Sequence, residues 1–231
     1  MPRVFDKNMF IMLLSVMIGV IVITYFAADI MRRAQIEEIE ERHIEEIETI
    51  EKKNINFTSN FLDSLTSLNL AKKYRMNGEV NYQISYAFYK NVFSVTNETR
   101  FDTYKTYITS NCSSAMYNFL NSHLNFNDSI GNFNESKSYT QYDVYLKLGD
   151  LYINYSKSGA RLTMLRYNIS KYLLYLSENL TFINGTVGFL GNYSALMDLL
   201  NNNLQDYLLE EDIFSDLEEL IELYELYDPE R

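Results

Sequence analysis

Cys112 and His123 are the residue types from which a thiol nucleophile and its base are made. On a single helix they would stand eleven residues apart, about 16 Å along the axis, beyond hydrogen-bonding reach. Cys112 therefore reads as a small core residue. The other histidine, His43, lies among glutamates, whose carboxylates favour the imidazolium form and would suit a pH sensor. An exposed helix histidine is the simpler reading. One Cys and two His provide neither a disulfide framework nor a transition-metal ligand set. There is no phosphate-binding glycine loop, HExxH, GxSxG or CxxC. No carboxylate pair stands out from the acidic runs as a glycosidase would need. The sequence predicts no enzyme, cofactor or metal; a surface hydrolase is kept as a third class.

The pattern that does recur is Asn-x-Ser/Thr. It occurs ten times, all after residue 50, about threefold above random placement in this composition. The predicted acceptors are Asn56, Asn97, Asn127, Asn134, Asn154, Asn168, Asn179, Asn184 and Asn192. Asn111 lies close to an apolar stripe of Tyr104, Ile108, Cys112, Ala115 and Phe119, so its motif is expected to go unused. Such a density suits an extracytoplasmic, glycan-bearing surface. An Asn- and Tyr-rich, disulfide-free composition points to an archaeal-like glycoprotein.

Residues 9–28 carry no charge. At 1.5 Å per residue they span about 30 Å, the thickness of a bilayer's hydrocarbon core. The run is longer than a signal-peptide core, and Phe26-Ala27-Ala28 is a poor cleavage site, so a retained signal-anchor is expected. Arg3 and Lys7 before it balance Arg32, Arg33 and Arg42 after it, which leaves orientation to the Asn-x-Ser/Thr motifs. The expected layout is a short cytoplasmic N-terminus (1–8), a transmembrane helix (9–28), a helical juxtamembrane stalk (29–59), an all-helical extracytoplasmic domain (60–209) and an acidic amphipathic C-terminal helix (210–231).

In the stalk, Ile36, Ile39, Ile44, Ile47 and Ile50 fall within an arc of about 140° at 100° per residue. Phe61, Leu62, Leu65 and Leu68 continue it. The spacing is not a strict heptad. With no Pro or Gly between Gly19 and Gly78, one helix is expected to run to about residue 75, roughly 70 Å past the bilayer. A narrow apolar stripe needs a partner, either a second copy in a coiled-coil-like pair or the chain's own domain.

Charge divides the chain. Residues 29–53 hold nine acidic and five basic side chains; residues 54–209 hold eleven and twelve; residues 210–231 hold ten and one. The net charge of −11, with no basic patch, argues against nucleic acid. In the nearly neutral middle, apolar residues recur at three and four, which gives an all-α fold class, an antiparallel helical bundle or helical-hairpin domain. The predicted helices are 60–75, 80–94, 100–123, 139–155, 160–177 and 191–209, then 212–227. Breaks fall at 76–78, 96–99, 125–138, 156–159 and 179–188, all rich in Asn, Ser, Asp or Gly. A β-hairpin around 179–191 is the alternative for the last. Tyr82, Tyr86, Tyr89, Tyr145, Tyr152 and Tyr155 recur at helical spacing and are expected in the core, with a ligand platform as the alternative. In the tail, Ile213, Leu217, Leu220, Ile221 and Tyr224 share a face that would cap the bundle, and Pro229 ends the helix.

Tyr145-x-x-Leu148-Gly149-x-x-Tyr152 resembles the first helix of a tetratricopeptide repeat, and Leu70-Ala71-x-x-Tyr74-x-x-x-Gly78 echoes part of it. Arg161 and Gln83 stand where the family places a small residue, and no 34-residue period runs through the chain. The resemblance implies packed helix pairs and carries no peptide-binding function with it.

The expected function is that of a single-pass cell-surface protein, C-terminal domain outside the cell membrane, with a structural or protein-interaction role. Its partners would be the lipid bilayer through residues 9–28, a second copy through the stalk, and a surface or membrane protein. The alternatives are a ligand-binding sensor ectodomain signalling through a partner membrane protein, and an inward-facing membrane-tethered helical scaffold.

Overall fold

The computed structural model describes residues 7–226. Most of the expected N-terminal segment and the helix stop at Pro229 lie outside them. The described chain is helical except for one small hairpin: α1 (Lys7–Val92), α2 (Glu98–Ser138), α3 (Asp143–Glu178), β1 (Leu180–Ile183), β2 (Thr186–Phe189) and α4 (Ser194–Leu226). It divides into two compact units, residues 1–53 and 54–231.

In the first unit α1 begins as an apolar helix. From residue 9 to 28 every residue but Gly19 is exposed. Ser15 and Thr24 return their hydroxyls to the carbonyls of Ile11 and Val20, at 2.9 and 2.8 Å, which satisfies both within the helix. The stretch is long and apolar enough to cross a membrane.

In the second unit the rest of α1 packs with α2, α3 and α4 on a seven-residue period. The buried positions of α2 are Phe101 and then, alternating steps of four and three, Ile108, Cys112, Ala115, Phe119, Ser122, Phe126, Ser129, Phe133 and Ser136. In α1, Ser64, Leu68, Ala71, Gly78, Tyr82, Ser85, Tyr89 and Val92 follow the same rule. In α4, Leu200, Tyr207, Phe214 and Ile221 recur every seven residues. A 3.5-residue period keeps one seam facing its neighbour along a long, nearly parallel contact.

Small residues line that seam, and large ones from the next helix sit on them. A β-carbon on Gly78 would come within 2.7 Å of the Phe119 ring, and one on Gly159 within 2.5 Å of the Phe126 ring. Ser122 donates to the Ala71 carbonyl at 2.7 Å, and the hydroxyls of Ser129 and Ser156 meet at 3.2 Å. These contacts run α1 against α2, and α2 against α3, in opposite directions.

Several expected breaks are therefore corrected. The chain does not turn at 76–78, 125–138 or 156–159; α1, α2 and α3 run through them. Gly78, Ser129, Ser136, Ser156 and Gly159 are buried contact points for neighbouring helices, not turn formers. Asn125 and Asn134 bond back to the carbonyls of Asn121 and Ile130, which satisfies them within the helix. The helices expected at 191–209 and 212–227 are the single α4. The stretches that resemble a tetratricopeptide repeat lie inside uninterrupted helices and do not form repeat hairpins.

Two interruptions are real. After Val92 the chain re-enters a helix at Asn97, whose side chain accepts from the Arg100 N–H at 3.2 Å, an N-cap. After α3 the alternative hairpin is present, with Leu180 opposite Phe189 and Ile183 opposite Thr186. Asn184 and Gly185 take φ of 52° and 82°, the left-handed pair that a two-residue hairpin turn requires. Phe182 stacks on Phe101 at 5.8 Å between centroids. Lys105 donates to the carbonyls of Glu178 and Leu180 at 2.8 and 2.9 Å; a cation here complements the C-terminal end of α3.

Candidate functional site

Cys112 is fully buried, and burial pushes its thiol up to about 11, which disfavours the thiolate a nucleophile needs. Both ring nitrogens of His123 are occupied. Nδ1 lies 2.9 Å from the Ala160 carbonyl, so it must donate, and Nε2 accepts from the Asn127 amide at 3.0 Å. That pairing fixes the neutral tautomer. His43 lies exposed, 3.7 Å from Glu46. Among the described residues no group of His, Cys, Asp and Glu is placed to hold a metal.

Of the predicted acceptor asparagines, Asn97, Asn127, Asn134, Asn154, Asn179, Asn184 and Asn192 are exposed, while Asn56 and Asn168 are half-buried. Asn168 lines a groove. Asn111 is half-buried. Ile36, Ile39, Ile44, Ile47 and Ile50 are 45–63 % exposed, so nothing among the described residues covers them. Of the six tyrosines expected in the core, Tyr82, Tyr89, Tyr152 and Tyr155 are buried, Tyr86 is half-buried and Tyr145 is exposed. In the tail, Phe214 and Ile221 point inward, whereas Ile213 and Leu220 face out; the buried face is rotated from the expected one.

The groove is open, about 720 Å³, and lies between α2, α3 and α4. Its apolar lining comes from Ile130, Met164, Leu165, Leu209 and Ile213, and its charges from Lys157, Arg161, Asp206 and Glu210. Glu210 accepts from Ser158. An apolar trough with a few charges of both signs suits binding. His123 at the groove's edge is held at both ring nitrogens, by the Ala160 carbonyl and the Asn127 amide.

Sequence reasoning missed a charged seam where α1, α3 and α4 meet. The Arg166 guanidinium donates to Glu79 at 2.6 Å and is 9 % exposed. It lies between the rings of Tyr82 and Tyr207, 4.4 and 3.6 Å from their centroids. Burial alone would lower the Arg166 pKa; the Glu79 carboxylate together with Tyr207 and Tyr82 outweighs it, and the net direction is upward. Tyr207 donates to Glu79 and Glu211 at 3.3 and 2.7 Å, and burial, aided by these carboxylates, raises its pKa. Further along, Glu218 accepts from Lys72 and Tyr155 at 2.8 and 3.0 Å. Burial would raise the Glu218 pKa, but the bond and charge of Lys72, with the Tyr155 hydrogen bond and the Arg75 charge, together lower it. Arg75 lies over the Phe214 ring at 4.5 Å. A heptad pattern with Arg75 and Arg166 at inward positions was the available signal, obscured because charged residues are rarely assigned to a core.

Comparison with protein-family models, with curated proteins and with solved structures finds nothing that matches this chain.

Proposed function

We propose that this chain is a single-pass membrane protein whose helical unit lies outside the cell, carries N-linked glycans and serves a structural or protein-interaction role without catalysis. The observation that carries the reading is the uncovered apolar stretch at residues 9–28, where every residue but Gly19 is exposed and the most apolar window has a mean hydropathy of 2.6. Water does not tolerate that much contiguous apolar surface, and a bilayer does. Seven of the nine proposed acceptor asparagines are exposed, which supports glycan attachment. Most polar groups buried at the helix contacts, Ser122, Ser129, Ser156 and Arg166 among them, are hydrogen-bonded to neighbouring helices, which supports a structural role over a chemical one; Ser170 Oγ and Arg75 Nη1 are the buried atoms left without a partner among the described residues.

The groove between α2, α3 and α4 favours a second reading, a sensor ectodomain that binds an amphiphilic ligand and signals through a partner membrane protein.

Topology decides first. Cys112 is replaced by Ala, a cysteine is placed at Asp228, and intact cells are treated with a membrane-impermeant maleimide. Labelling without permeabilisation supports the outward-facing reading. Labelling only after permeabilisation overturns it in favour of an inward-facing scaffold.

A further inference from the structure

Residues 36–44 and 47–55 are two copies of one pattern, Ile-Glu-x-Ile-Glu-x-(Arg/Lys)-x-Ile, eleven residues apart. Eleven residues fill three turns at about 3.67 per turn, close to the helix's own period, so such a repeat stays on one side of a nearly straight helix. In the first unit it places Ile36 and Ile47 on one line. Ile39 and Ile50 lie about 65° to one side of that line, and Ile44 about 65° to the other. All five are exposed.

Two polar rows run between the isoleucines. Asp29, Glu40 and Glu51, again eleven apart, lie about 33° from the midline on the Ile44 side. Arg32 and His43, also eleven apart, lie about 33° from it on the Ile39 side. The inner row on the Ile44 side is acidic and that on the Ile39 side holds an arginine and a histidine; Arg33, eleven residues before Ile44, lies outside the acidic row.

We infer that this face pairs with the same face of a second copy, parallel and in register. A twofold axis along the helices sets the acidic row of each copy against the basic row of the other, on both flanks at once. Asp29 then opposes Arg32, and Glu40 opposes His43, while Ile36 and Ile47 meet across the midline. An antiparallel pair would set acidic row against acidic row, which is repulsive. The present partners, Asp29 with Arg33 at 3.0 Å and His43 with Glu46 at 3.7 Å, are surface pairs that contribute little and yield readily. The parallel sense also follows if both copies cross one bilayer in the same direction; to that extent the inference rests on the membrane reading, whereas the charge rows do not.

The test uses the full chain with Cys112→Ala in phosphatidylcholine vesicles at low protein density, with single cysteines oxidised in place. Ile47→Cys should give disulfide-linked dimers about tenfold more readily than Glu38→Cys, about 164° around the helix. Glu40→Lys should weaken dimerisation about tenfold, and adding His43→Glu should restore it. Equal linking at both positions, preferential linking of Ile36→Cys to Ile50→Cys, or indifference to Glu40→Lys would each overturn the inference. Flotation of the same vesicles reads the membrane anchor separately. Dimers that do not float remove the membrane reading and keep the pairing; floating monomers do the reverse.

Discussion

The ring of Phe126 fills the space above Gly159: a β-carbon on that glycine would lie 2.5 Å from the ring's Cε1 and Cζ atoms. Phe126 is fully buried on α2 and Gly159 is buried mid-way along α3, so neither can withdraw without opening the contact. Gly159→Ala is expected to destabilise the helical unit by about 1–3 kcal/mol, the usual cost of overpacking. Gly131, exposed in α2 with open space around it, gives the opposite sign. Gly131→Ala should stabilise by up to about 1 kcal/mol through helix propensity and a less flexible unfolded chain. Urea unfolding of both variants checks the pair; an unchanged midpoint for Gly159→Ala would refute the close contact.

Glu79→Ala leaves Arg166 buried without its carboxylate, and the expected loss is about 3–5 kcal/mol. Replacing both residues by Met should cost much less than the single change, because no charge is then stranded. A double-mutant cycle on unfolding free energies measures the coupling, and additive single effects would show that the pair does not interact.

Acid should loosen α4. The folded pKa of Glu218 is lowered, so its contribution is complete above the ordinary carboxylate range and is lost as pH falls through the folded value. Glu218→Gln should flatten that part of the stability curve, measured by urea midpoint against pH, while leaving the curve above pH 6 parallel to wild type.

Alkali acts through Tyr82 and Tyr89, whose hydroxyls are pushed up to about 12 by burial. The unfolded chain deprotonates near pH 10, so stability is full below that and falls as pH rises towards 12. Each tyrosine contributes a slope of about 1.4 kcal/mol per pH unit over that range. Tyrosinate absorbance should show some tyrosines ionising only together with loss of helical ellipticity. Ionisation of all twenty tyrosines before unfolding would contradict their burial.

Asn184 supplies both a left-handed turn residue and a glycan acceptor motif. Asn184→Ala should cost about 1 kcal/mol in strain. Asn184→Asp tolerates the same φ but removes the amide, so it should abolish any glycan mass at this position with little change in melting temperature. Intact-protein mass spectrometry and thermal melting separate the two effects.

What was legible in the sequence depended on how local its cause was. The uncharged run at 9–28 and the hairpin held as the alternative around 179–191 are set by neighbouring residues, and both were within reach of a short window. The helical class followed from apolar spacing. The helix lengths did not, because Ser129, Ser136, Ser156 and Gly159 resemble turn formers in any short window. Their role depends on what meets them from a neighbouring helix, Phe126 over Gly159 and Ser156 beside Ser129, which a short window does not contain. The groove was hidden for the same reason, since His123, Arg161 and Asp206 come from three helices. The eleven-residue repeat was visible throughout, but only to a search at that period.

The seven-residue frame shared by the helices also leaves them nearly degenerate under sliding. Shifting α2 by one heptad would put Ser129 where Ser122 was and Phe126 where Phe119 was, another small residue on a small one and another ring over the seam. Apolar packing alone would distinguish such registers poorly. The charged contacts do not repeat: only one offset joins Arg166 to Glu79, Lys72 to Glu218, and Lys105 to the end of α3. These ions act as a vernier that selects one alignment from a ladder of similar ones, at some cost in net stability.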